Sequence, residues 1–224
     1  MRNLIRWNTE FGGYNFQRLF RKCNIEDKDS HMTDNTLQPL RVDLAERSFW
    51  NLGYFVAGLI FWLYVTAINI YFPLEKAKFY WFVGTFFIFP IAVLVSRLLG
   101  ADPFSKGNHL GELVGYTHMS LIALTFPIVI FSLIYFPEAM ILILAVAYCL
   151  DFYVMTWAFD SPLFGIHAAA RVIIVAIIWF AQPDWREILI PATVAFAYLV
   201  TVILIPILRR KWLVQNGIFR KTVE

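Results

Sequence analysis

Charge is scarce in this chain. Asp, Glu, Lys and Arg make up 16% of its 224 residues, against about 25% in an average soluble domain. That shortage excludes an ordinary soluble domain of this length and places the chain in the membrane class. Cysteine is nearly missing too: Cys23 stands in a polar N-terminal stretch and Cys149 inside an apolar run. Two such residues exclude a disulfide framework and match no zinc-ribbon spacing, so Cys149 reads as a small packing residue. Outside the N-terminal stretch no Lys/Arg-rich face is interleaved with aromatics, and the formal charge is only +3. Nucleic acid is therefore not an expected partner. No apolar run ends in a small-residue cleavage site, so no secretory signal peptide is expected. G-x-S-x-G, P-loop, G-x-G-x-x-G and H-E-x-x-H patterns are all lacking.

What is present is apolar, 59% of residues, and unusually aromatic, 18%. Six apolar runs, at 50–72, 79–99, 113–136, 139–159, 163–181 and 188–208, have the length of membrane spans. Each is too long for a core strand and too uniform for a surface helix. Pro73, Pro137 and Pro162 punctuate three of the connections. The expected fold class is all-α, an integral membrane bundle of six transmembrane helices. An even number of spans puts both ends on one side. Arg41, Arg47, Lys106, Arg209, Arg210 and Lys211 fall there, and only Lys76, Lys78 and Arg186 fall opposite. The positive-inside rule then predicts an N-in, C-in protein of the cell membrane. Trp50, Tyr80, Trp81, Tyr135, Trp179, Trp185 and Trp212 near the span ends suit interfacial belts.

The division is into residues 1–40, a basic and polar extension, a six-helix domain over 41–212, and a C-terminal tail over 213–224. Met1–Cys23 is basic and carries scattered apolar residues, so it reads either as a disordered tail or as a helix on the inner membrane surface. Residues 24–40 read as a polar linker, and Met32 offers an alternative start. No convincing repeat emerges, although spans 1–3 and 4–6 would have opposite topology, as in inverted-repeat transporters.

Chemistry is sought where ionisable groups interrupt the apolar runs. Asp151 and Arg171 each lie ten residues from Ser161, the turn between spans four and five. At about 1.5 Å per residue both stand ~15 Å from that turn, near the middle of a ~30 Å hydrocarbon core. Opposite charges at one depth predict a buried ion pair, and such residues are functional candidates by default. His167 shares a face with Arg171 at i, i+4. His118, Thr156 and His167 reach similar depths on three spans, with Glu112 and Asp160 shallower. Together these residues predict a polar track from one membrane face to the midplane. Arg97 and Glu112, at matching distances from the loop between spans two and three, predict an interfacial pair. Two histidines on different spans fall short of the converging ligands that zinc requires, so neither a metal nor another cofactor is expected. Gly111 and Gly115, with Gly165 and Ala169, read as small residues for close helix contact. The loop from Gly100 to Leu110 carries Asp102, Ser105, Lys106, Asn108 and His109, which read either as a polar ligand site or as turn and cap residues.

At this loop running into Gly111, and at the His167–Arg171 segment, the chain is similar to small uncharacterised bacterial six-span membrane proteins, over roughly residues 40–212. The resemblance implies a helical membrane bundle and no particular activity. Three functions compete. The first is a transporter or permease for a small solute or ion, using Asp151, Arg171, His167 and His118. The second is a scaffold, sensor or partner subunit whose ion pair braces the helices. The third is a membrane-embedded hydrolase or transferase, with non-enzyme the favoured side. Expected partners are the lipid bilayer and a small solute or ion, with a homo-oligomer left open.

Overall fold

The computed structural model describes residues 34–216. The readings placed on Met1–Cys23 and Met32, and the end of the tail beyond 216, lie outside them. Eight α-helices follow one another, with no strand among the described residues: α1 Asp34–Arg47, α2 Leu52–Tyr71, α3 Leu74–Leu98, α4 His109–Tyr135, α5 Met140–Ala147, α6 Phe152–Ala158, α7 Pro162–Ala181 and α8 Arg186–Gln215. α5 and α6 are two halves of one apolar segment, so six spans are long and apolar enough to cross a membrane. Helices are what such sequences must form, because hydrocarbon offers no partner for a free backbone N–H or C=O. Proline sets the joints: Pro73 precedes α3, Pro137 opens a short 3₁₀ turn, and Pro162 begins α7. Asn108 starts α4, its side-chain oxygen accepting from the Gly111 N–H at 3.0 Å.

The first span lies between the second and the sixth, at two close approaches. A Cβ on Gly53 would come within 2.7 Å of the Ala92 carbonyl oxygen, and one on Gly58 within 2.7 Å of Tyr198 Cζ. Spans four, five and six share a dry seam of Met140, Ile141, Leu144, Val175, Ile190 and Val194, all fully buried. The third span is peripheral: 11% of its apolar stretch is buried, against 39–44% in spans one, four, five and six. It touches the second mainly through Phe126 against Phe86 and Phe82, with ring centroids 5.5 and 6.3 Å apart.

Both ends of the described chain gather at one pole. Arg209 donates to the Ala45 and Glu46 carbonyls at 2.7 and 2.9 Å, satisfying orphan acceptors at the end of α1. Arg41 reaches the Trp157 carbonyl, and Asn108 reaches the Leu40 carbonyl and Asp43. Helix α1 begins inside the stretch read as a polar linker. Burial of Leu44 and Ala45 against the pole anchors its second half. At the opposite pole Arg186 meets Glu138 at 2.8 Å, and Asn69 joins Trp81 Nε1 to the Glu187 carbonyl.

Between α1 and α2 the backbone turns left-handed over three consecutive residues, Phe49, Trp50 and Asn51, at φ 51°, 54° and 55°. For side-chain-bearing residues this costs roughly 3–6 kcal/mol in all. Burying one indole returns about 4–6 kcal/mol, less the roughly 1–3 kcal/mol that its unpartnered Nε1–H costs. Trp50 is that indole: it is 1% exposed and set among Phe159, Phe164 and Trp212 at 5.8–6.1 Å.

Candidate functional site

The fourth span does not cross as one helix. It breaks at Tyr148–Asp151, where Cys149, Leu150 and Phe152 donate to carbonyls three residues back instead of four. Asp151 stands at the end of this break, immediately before α6, and is 7% exposed. Its carboxylate Oδ2 is hydrogen-bonded to His118 Nδ1 on the third span. The His118 ring is held edge-on to Tyr54, with centroids 5.4 Å apart. Continuous helices would set His118 and Asp151 about five residues, or ~7.5 Å, apart in depth. Three-residue turns rise faster, at about 2.0 Å per residue, so the break carries Asp151 roughly 2 Å of that way toward His118.

The expected Asp151–Arg171 ion pair is not formed. Arg171 is 2% exposed and donates from Nη1 to the Tyr198 hydroxyl at 3.1 Å. Its guanidinium lies over the Trp62 and Tyr198 rings at 5.1 and 5.3 Å. Nε and Nη2 have no protein partner. His167, one turn away and 5% exposed, contacts Thr201 Oγ1 at 2.6 Å through Nδ1. The Thr201 hydroxyl donates to the Ala197 carbonyl, so it accepts from His167 Nδ1–H and leaves Nε2 without a partner. Equal depth brings two side chains to one level, but rotation about each helix axis decides whether they meet. Here Arg171 faces the sixth span and Asp151 the third.

A chamber of about 220 Å³ opens beside Asp151, bounded by spans one, two, three, four and six. Aromatic rings dominate its wall, among them Tyr54, Phe61, Trp62, Phe86, Phe126 and Phe152. Among the described residues, Asp151 is the only acidic one lining it, and no Lys or Arg does. A smaller cavity of about 40 Å³ lies toward the pole of the chain ends, bordered by Asn51, Ser105, Gly111 and Gly115. Tyr54, His118, Met119 and Met155 belong to both walls, so they form the partition between them. Trp62 and Tyr198 line the chamber and also carry Arg171. The Arg171 charge is thereby kept behind an aromatic layer.

The remaining predicted site residues fall elsewhere. Thr156 Oγ1 donates within its own helix to the Phe152 carbonyl, and it packs against Gly165, where a Cβ would meet it at 3.1 Å. Asp160 and Glu112 are exposed at the pole. The Arg97–Glu112 pair is not formed either: Arg97 is exposed, and Glu112 instead lies 3.6 Å from His109 and accepts weakly from the Gly107 N–H. Gly100 and Gly107, at φ 72° and 80°, turn the connection tightly, and Glu112 falls beside the helix start. The loop spends its polar groups on itself and on α1: Asp102 accepts from the Phe104 and Lys106 N–H groups, and Asn108 donates to Leu40 and Asp43. Of the small-residue pair, Gly111 meets Ser105 and Leu44, whereas Gly115 faces open space.

Sequence reasoning missed Tyr198, Thr201, Tyr54 and Trp62. Tyr198 and Thr201 are the polar residues, three apart, of an otherwise apolar stretch in α8, and that spacing was the available signal. The two aromatics of the first span carry none, because aromatics are common throughout the chain.

No curated protein and no solved structure matches the chain. A family of unknown function, DUF7010, does match, over residues 37–207, from the pole helix into the last span. The chain belongs to that family, a multi-pass membrane protein with six helical spans.

Proposed function

We propose that the protein is a small-solute permease in which Asp151, held by His118, is the polar handle of a central chamber. One observation carries this reading: the fourth span is interrupted at the residue that brings a carboxylate to the chamber wall. Broken helices in membranes persist where they line a cavity, and transporters place substrate and ion sites at such breaks. The smaller cavity is the approach from the pole of the chain ends, and Tyr54, His118, Met119 and Met155 form the gate. An N-in, C-in orientation makes that pole cytoplasmic, supported by Arg41, Arg47, Lys106 and Arg209–Lys211 against Lys76, Lys78 and Arg186. Arg171 takes the second role weighed for this protein, as a brace. Its enclosure by Trp62, Tyr198 and the sixth span favours that role.

The test is access from the two sides of a sealed membrane. In a Cys23→Ser, Cys149→Ala background, Thr125→Cys on the chamber wall is treated with a membrane-impermeant methanethiosulfonate. Modification from both sides is expected. Val194→Cys, on the dry seam, is expected to stay unmodified. Modification of Thr125→Cys from one side only, or from neither, overturns the permease reading.

A further inference from the structure

We infer that the chamber selects a small organic cation, a protonated amine on an apolar body. The inference rests on the permease reading for the chamber's use, but its chemistry comes from the wall alone. Aromatic faces carry the negative end of their quadrupole and attract cations within about 6 Å of the ring centroid. Here Phe61, Phe86, Phe126 and Phe152 surround the space, and their rings are not engaged by Arg171. The single acidic group, Asp151, adds a charge-assisted acceptor, the strongest partner for an ammonium N–H.

An anionic ligand finds nothing comparable. Among the described residues no Lys or Arg lines the chamber. The nearest buried cation, Arg171, spends Nη1 on Tyr198 and lies against the Trp62 and Tyr198 rings. His118 is already bonded to the carboxylate. It occupies the position that an ammonium would take, and an entering amine displaces it. That exchange couples ligand arrival to the partition, because His118 is part of the wall shared with the smaller cavity.

Size narrows the class. About 220 Å³ lies below the ~300–1,000 Å³ of drug-sized sites. The fit is to a single ring with a short aminoalkyl arm.

A matched series tests this on the full chain in detergent micelles: 2-phenylethylamine, 2-phenylethanol and phenylacetate, with binding read from tryptophan fluorescence. The amine is expected to bind at least tenfold more tightly than the alcohol, and the acid weakest. Asp151→Asn is expected to remove the amine's advantage over the alcohol, with wild-type helical circular dichroism in the same micelles showing that the variant is folded. Equal binding of amine and alcohol by the wild type overturns the inference, as does preference for the acid or an amine preference that survives Asp151→Asn. The wild-type series stands without any variant. The two proposals fail separately: two-sided labelling of Thr125→Cys without amine preference removes only the ligand class, and amine preference with one-sided labelling removes only the permease.

Discussion

Asp151 and Arg171 stand at mirrored positions about Ser161, and the protein treats them in opposite ways. Asp151 stands at a break in its span, faces a chamber and bonds to a histidine on the least buried span. Arg171 sits mid-helix in a continuous span, 2% exposed, with a tyrosine hydroxyl and two aromatic rings for company. The first environment offers room and a half-buried partner. The second offers neither, and leaves two guanidinium nitrogens without protein partners. Buried charge is therefore no single signal: on the permease reading a carboxylate at a helix break is a site, and a guanidinium sealed by aromatics is a joint.

That contrast can be broken in four ways. The largest effect is expected at Gly58, which lines the chamber and presses on Tyr198, so it touches both regions. Gly58→Val should lower stability by about 3 kcal/mol through overpacking, read from unfolding in mixed micelles, and should perturb amine binding as well. Next comes Tyr198→Phe, which removes the hydrogen bond to the Arg171 guanidinium and should cost about 2 kcal/mol. In an Arg171→Met background the same change should cost less than ~1 kcal/mol, since no charge is then left unpartnered. Equal costs in the two backgrounds would show that Arg171 does not depend on the corner. Third, His118→Ala should cost only about 1 kcal/mol, because the carboxylate it leaves faces open space. A loss of about 3–5 kcal/mol, as for a buried charge stripped of its partner, would make the wall as dry as the corner and dissolve the contrast. The smallest effects are expected at Arg97→Gln and Glu112→Gln, each within about 0.5 kcal/mol and additive in the double variant. Non-additivity would restore the pair that the structure does not form.

The six spans were readable from apolar run length, because hydrocarbon leaves a backbone few alternatives. The joints at Pro73, Pro137 and Pro162 were readable from proline itself. The cap at Asn108 and the turn at Asp102 were within reach, since those side chains commonly bond to nearby backbone N–H groups. The break at Tyr148–Asp151 was not: the segment from Met140 to Ala158 holds neither proline nor glycine, and nothing local demands a stop. Nor was the partner of Asp151. Counting residues from a turn gives depth, while contact also needs the rotation of each helix, which depends on packing against the others. The depth count put Asp151, Arg171, His118 and His167 on one polar track; the structure buries three of them, leaves His118 half-buried and sorts them into two separate neighbourhoods.

The left-handed turn at Phe49–Asn51 bears on the order of assembly. A chain made from its N-terminus inserts the first span early. The indole that offsets the cost of that turn lies among Phe159, Phe164 and Trp212, at the end of the fourth span, the start of the fifth and the end of the sixth. Until those segments arrive, the turn lacks its aromatic packing and Arg209 is not there to grip the end of α1, which is held only by the loop before α4, through Asp102 and Asn108. The contacts that complete the pole, Trp50 with Trp212 and Arg209 with the end of α1, therefore wait for the sixth span.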